Sequence, residues 1–230
     1  MFASGGKSYW NDESGAVMVE VTVTIFTFLV ILFGIVEFSY AFYQWNAATK
    51  AMQFGARLAA VSNPVSSDLS SWSGLGLSGS CSSLVPGDPI PDACGYDRVC
   101  TSSSTTGATG TCTNSGTYSA NAMRVVVYGR AADGTSNTAC DFTAGLQQNR
   151  LGMCNIFTRL NGSADRVQIR YQYTRLGYAG RPGGPVPTVT VSLTGMPFQF
   201  VLLNFMFGTI TMPGFATTVT GEDLNPNAPT

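Results

Sequence analysis

The chain has 230 residues, room for one modest domain with an anchor or for two small domains. Only 11% of residues are charged, the net charge is −1, and histidine is absent. These values exclude a basic nucleic-acid footprint, Ser–His–Asp and Cys–His catalysis and histidine-based zinc sites; with lysine confined to Lys7 and Lys50 they also exclude Ser–Lys chemistry in the C-terminal part.

Residues 1–15, MFASGGKSYWNDESG, read as a leader. No charge follows between Glu20 and Glu37, an interval almost wholly of Val, Ile, Leu and Phe, with three threonines. Residues 16–36 are enough helix to cross ~30 Å of hydrocarbon at ~1.5 Å per residue. Tyr40, Tyr43 and Trp45 stand where an aromatic belt would mark the far interface. The helical pattern continues through AATKAMQFGARLAA at 47–60 until Asn63-Pro64 ends it, which predicts one helix over 16–61. Ala47, Ala51, Gly55 and Ala59 recur every four residues and form a ridge of small side chains. That ridge suits packing on the chain's own domain or on another subunit's helix.

A secretory signal peptide places its small-residue cleavage site after the apolar run. Here the candidate site precedes it. Gly15 followed by Ala16-Val17-Met18-Val19-Glu20 resembles the processing site of type IV pilin-like proteins, in which a prepilin peptidase cuts after the glycine and leaves glutamate fifth in the mature chain. The resemblance implies Gly15 and Ala16 as the cut site and Glu20 as an assembly residue that neutralises a neighbouring subunit's new amine. Leaders of this class are usually basic, whereas this one sets a single lysine against Asp12 and Glu13.

All six cysteines, Cys81, Cys94, Cys100, Cys112, Cys140 and Cys154, lie beyond the span. In a Ser/Gly-rich segment without a C-x-x-C pair they read as disulfides, not as a metal site. Six cysteines allow 15 pairings; sequential pairing, 81–94, 100–112 and 140–154, is the first choice because it closes short loops. With Lys50 and Arg57 on the far side of the span, the positive-inside rule does not orient it. The disulfides do: they put residues 62–230 in an oxidising compartment and the N-terminus in the cytoplasm.

Residues 62–121 are rich in Ser, Thr, Gly and Pro and read as a looped, disulfide-braced region. Residues 122–230 read as mainly β, with strands expected at 122–128, 166–173, 188–193 and 215–220 and a short helix with loops over 140–160. FQFVLLNFMF at 198–207 is about half a span's length and suits a buried strand, a short helix or a membrane-resting patch. The fold class expected is α+β, a long N-terminal transmembrane helix continuing outward and packed on a small antiparallel sheet, with disulfide-braced loops.

The segment SGAVMVEVTVTIFTFLVILFGIVEFSYAFYQWNAATKAMQFGARLAA is similar to the N-terminal region of TadE-like proteins. The shared features are the G-A-x-x-V-E start, the L-x-G-I-V-E-F core around Gly34 and Glu37, and the stretch ending G-A-R-x-A-A. RVQIRYQY, PTVTVSLTG and ITMPGFATTVTGEDLN resemble that family's closing strands. Members are minor pilins or pseudopilins of the Tad system that builds Flp-type pili. The resemblance implies a non-enzymatic, cofactor-free subunit of the bacterial inner membrane, with its C-terminal domain in the periplasm or the subunit carried into the pilus. Its implied partners are prepilin peptidase, other Tad/Flp assembly proteins and pilins, and membrane lipid, with no nucleic acid.

Three other functions suit the chain less well. A von Willebrand-type metal site needs D-x-S-x-S, and Asp68-Leu69-Ser70-Ser71-Trp72 fails at the last position. An uncleaved single-span anchor with an adhesive or binding ectodomain would use the Ser/Thr-rich loops. A carboxylate hydrolase would need paired acids, whereas Asp133, Asp141 and Asp165 are scattered and suit turns and caps.

Overall fold

A computed structural model of the protein describes residues 13–142, 151–181, 184–200 and 208–221. The chain divides into two compact units, residues 1–43 with 198–210, and residues 44–197 with 211–230.

Helix α1, Glu13–Val61, enters both units and runs 49 residues, roughly 70 Å at the usual rise. It contains no proline, and its last turn closes with the Ser62 N–H on the Leu58 carbonyl at 3.0 Å, just before Asn63-Pro64. Threonine is a poor helix former in water because its hydroxyl competes for backbone groups. Here Thr22, Thr24 and Thr27 donate to the carbonyls four residues earlier, at 2.7–2.9 Å, so the hydroxyls are satisfied within the helix. The first unit holds this part of α1 together with Phe198 and Phe200, whose rings meet edge to face at 5.1 Å; Tyr40 lies 6.4 Å from Phe198.

The second unit is α+β. Its five-stranded sheet is antiparallel throughout, with strands β1 (Asp97–Ser102), β2 (Gly110–Cys112), β3 (Val167–Tyr173), β4 (Pro187–Leu193) and β7 (Phe215–Thr220) in the order β2-β1-β3-β4-β7. Strict alternation explains β3 and β4. Val167, Ile169 and Tyr171 on one strand, and Val189, Val191 and Leu193 on the other, face the core, while Gln168, Arg170, Thr190 and Ser192 face outward. Pro187 opens β4, where a missing N–H is tolerated, and its carbonyl accepts from Gly221 at 2.7 Å. Strands β5 (Pro197–Gln199) and β6 (Thr209–Thr211) form a separate ribbon.

Two expectations are corrected. Residues 122–128 form no strand; they lie in helix α2, Ala120–Tyr128. A short β-branched run does not distinguish strand from buried helix by itself. The cap decides it: the Ser119 hydroxyl accepts from the Ala122 N–H, and Gly129 at φ +79 closes the helix through its N–H on Val125. Ala122, Met123 and Val125–Tyr128 are then buried. The middle region is also not only looped, since it supplies β1 and β2. Only Val99 in β1 is a large apolar residue, so the segment reads as polar loop; the ladder to β3 and the Cys100–Cys112 bond order it instead.

Helix α3, Met153–Ile156, and a 3₁₀ turn at Thr158–Leu160 occupy the expected short-helix region; residues 143–150 lie outside the described residues, as do 1–12 of the leader, 201–207 of the apolar run and 222–230. The disulfides pair Cys81–Cys94, Cys100–Cys112 and Cys140–Cys154, closing separations of 13, 12 and 14 residues. Loops of that size give about 3 kcal/mol each in the chain-entropy model.

Candidate functional site

The start of α1 is open. Gly15 and Ala16 are helical and exposed, and nothing lies within 4 Å of a Cβ built on Gly15. Glu20 is exposed one turn on from Ala16, about 6 Å along the axis. The most apolar window of α1 has a mean hydropathy of 2.5, and none of it is buried. Val17, Phe26, Phe28, Ile31 and Ile35 are each more than half exposed. A core helix of a water-soluble domain would bury such a stripe. Among the described residues this is the one helix long and apolar enough to cross a membrane. Glu37, the second carboxylate, is buried at 3% exposure, between exposed Val36 and Phe38.

The C-terminal half of α1 is built differently. Ala48, Ala51, Met52, Ala56, Ala59 and Ala60 are buried, and the ridge predicted from sequence faces the chain's own domain: Ala51, Gly55 and Ala59 are buried and Ala47 half-buried. A Cβ on Gly55 would fall 2.4 Å from the Met153 sulfur. Trp45 meets Phe215 edge to face at 4.6 Å. Arg159 donates from its terminal guanidinium nitrogen to Gln44 Oε1 at 2.8 Å, and Gln44 is 4% exposed. Just beyond the helix, the Val65 N–H donates to the Tyr171 hydroxyl at 3.0 Å, both groups buried. These polar ties were not legible in the sequence, because each joins residues about a hundred positions apart. A glutamine placed where a helix turns from lipid-like to core-like composition is the only hint.

The Asp68 carboxylate is taken up by hydrogen bonds within the domain. Ser66 donates to its carboxylate, as do Arg98 Nε at 3.1 Å and the Thr117 N–H at 3.2 Å. Burial alone would raise its pKa, but the Ser66, Arg98 and Thr117 bonds outweigh that and hold the carboxyl below the usual aspartate range. Ser70 and Ser71 turn their hydroxyls to the backbone carbonyls of Ser67 and Asp68. Asp68 therefore clamps the 66–68 turn to β1 and to the 117–118 segment. No group of three or more His, Cys, Asp or Glu suited to a metal occurs among the described residues. Asp133 caps its own turn through the Thr135 N–H and hydroxyl, and Asp165 pairs with Arg166 at 3.3 Å.

The class so defined is a protein with one N-terminal membrane-type helix and an α+β, triply disulfide-bonded second unit. A family model described as TadE-like protein matches residues 15–57. The match covers the unburied apolar stretch and Ala47, Ala51 and Gly55 of the small-residue face, stops before the first cysteine, and agrees with the resemblance read from the sequence. It points to a Tad pilus-associated protein. No curated protein and no solved structure is matched.

Proposed function

We propose that the protein is a minor pilin or pseudopilin subunit of Tad-type (Flp) pilus assembly, processed after Gly15 by prepilin peptidase. Residues 16–36 hold it in the inner membrane with the disulfide-bonded domain in the periplasm, and it carries out no reaction of its own. The observation that carries this reading is the exposed Gly15–Glu20 segment at the head of an unburied apolar helix, inside the TadE-like match.

Cleavage would leave an ammonium on Ala16 beside the lipid phase. A carboxylate there is costly, about 2.5–3.5 kcal/mol on insertion scales, unless a cation neutralises it. Glu20 of one subunit and the Ala16 amine of the next supply that pairing. Because Ala51, Gly55 and Ala59 are covered by the chain's own domain, contact between subunit helices falls to the exposed residues of 16–43. Partners would therefore be other pilins and assembly proteins meeting in the membrane.

The test is piliation in cells carrying Glu20→Val. Membrane insertion is retained or improved, whereas pilus formation falls. Normal piliation by that variant contradicts the assembly role.

A further inference from the structure

One end of the five-stranded sheet holds a groove of ≈ 560 Å³ lined by Asp92, Asp97, Asn114, Gln172, Thr174 and Arg175, together with the largely buried Tyr96 and Tyr173. Its place follows from the register. Val167, Leu193 and Phe215 share one end of β3, β4 and β7, where Phe215 meets Trp45. Tyr173 and Gln172 stand at the other end, about 20 Å along the strands. The groove therefore lies at the end of the sheet opposite the Trp45–Phe215 contact.

The lining is charge-balanced. Its lining residues include Asp92 and Asp97 with Arg175 and Arg98; Arg98 is engaged by Asp68, and both groove aspartates are held by guanidinium forks: Arg175 Nε donates to Asp92 at 2.6 Å with a second bond beside it, and Arg170 donates to Asp97 at 2.8 and 2.5 Å. A strongly anionic ligand would have to displace a carboxylate from its arginine, and a cationic one the reverse. A neutral ligand need break neither pair. A carboxylate engaged by one fork keeps free lone pairs, and the guanidinium keeps free N–H groups. Adjacent hydroxyls can accept from the arginine and donate to the aspartate at once. Gln172 and Thr174 add amide and hydroxyl groups, and Asn114, whose amide nitrogen donates to the Asp97 carbonyl at 2.8 Å, presents its carboxamide at the same rim.

A second observation singles out the same place. Three non-glycine residues among those described have positive φ, and two of them, Asn114 at +55° and Arg175 at +64°, line this groove. Asparagine tolerates that region, but arginine gains nothing from it locally. Glycine would relieve the strain at 175 and lose the fork.

We propose that this groove binds a neutral polyhydroxylated chain, a glycan segment, through the Asp92–Arg175 pair, Asn114 and Gln172. Full-length protein in lipid nanodiscs is titrated with the linear tetramer of N-acetylglucosamine, whose hydroxyls and acetamides match the lining, and binding is read by calorimetry. The wild type binds saturably. Arg175→Gly keeps or raises the thermal midpoint yet weakens binding by about tenfold or more, and Gln172→Ala weakens it without altering the backbone. The proposal is overturned if the wild type shows no binding, if both variants bind as the wild type does, or if inorganic phosphate, oligolysine or a neutral Gly/Ser peptide binds more tightly than the tetramer. The readout is independent of cleavage after Gly15, so failure here leaves the assembly reading intact, and the converse holds.

Discussion

Gly55 of α1 lies directly against Met153 of α3: a side-chain carbon at position 55 would stand 2.4 Å from Sδ and 2.6 Å from Cγ of a methionine that is fully buried. The glycine is thus kept for close approach, at a helix-propensity cost of ~1 kcal/mol relative to alanine. Gly55→Leu is expected to destabilise the second unit by about 1–3 kcal/mol through overpacking, despite its better helix propensity. Chemical denaturation of the detergent-solubilised protein measures it. Gly152→Ala should cost more, since its new carbon would meet the backbone at Gly129 N, 2.3 Å away, and backbone cannot turn aside as a side chain can.

Gln44 and Arg159 tie α1 to the 3₁₀ turn that follows α3. Removing the amide by Gln44→Leu leaves a half-buried guanidinium without that acceptor, and hydrogen bonds to charged groups contribute about 1.5–3 kcal/mol. The expected result is a lowered thermal midpoint, with the double variant Gln44→Leu/Arg159→Met recovering part of the loss. Equal loss in single and double variants would show that the two residues do not act together.

Stability should fall in acid, and the sign follows from the carboxylates. Asp68 and Asp97 both have folded pKa values below their ordinary range. In Asp68, burial is overcome by bonds from Ser66, Arg98 and Thr117; in Asp97, the Arg170 fork is the main cause. A lowered folded pKa gives stabilisation that is complete above the unfolded value and is lost as pH falls through the folded value. Stability is therefore flat near neutrality and declines once pH drops below the usual aspartate range. Asp68→Asn reduces the neutral-pH stability and flattens the acid limb, as read from denaturation midpoints across pH.

Much of this architecture was readable from residues. The charge-free run, the absent proline and Asn63-Pro64 define α1, and period-2 alternation defines β3, β4 and β7. Short loops favoured sequential cysteine pairing without excluding the other schemes, and the structure carries those three bonds. Other parts depend on tertiary context. Val125, Val126 and Val127 look like strand until the Ser119 cap and burial on all sides are known. Strand β1 has too few apolar residues to announce itself, because its outer face is wet and its order comes from Cys100 and β3. The small ridge was legible as a packing face, but its partner Met153 was not, being about a hundred residues away. The fork-lined groove was invisible too, since it assembles Asp92 from a 3₁₀ turn with Asn114 and Arg175 from two separate loops.

The direct measurement is the intact mass and N-terminal sequence of the protein extracted from membranes of cells with active prepilin peptidase. Processing after Gly15 gives a chain beginning at Ala16, and replacing Gly15 by a bulky residue such as phenylalanine leaves the leader in place. A wild-type protein that still begins at Met1, or a Gly15→Phe protein trimmed to Ala16, would contradict it.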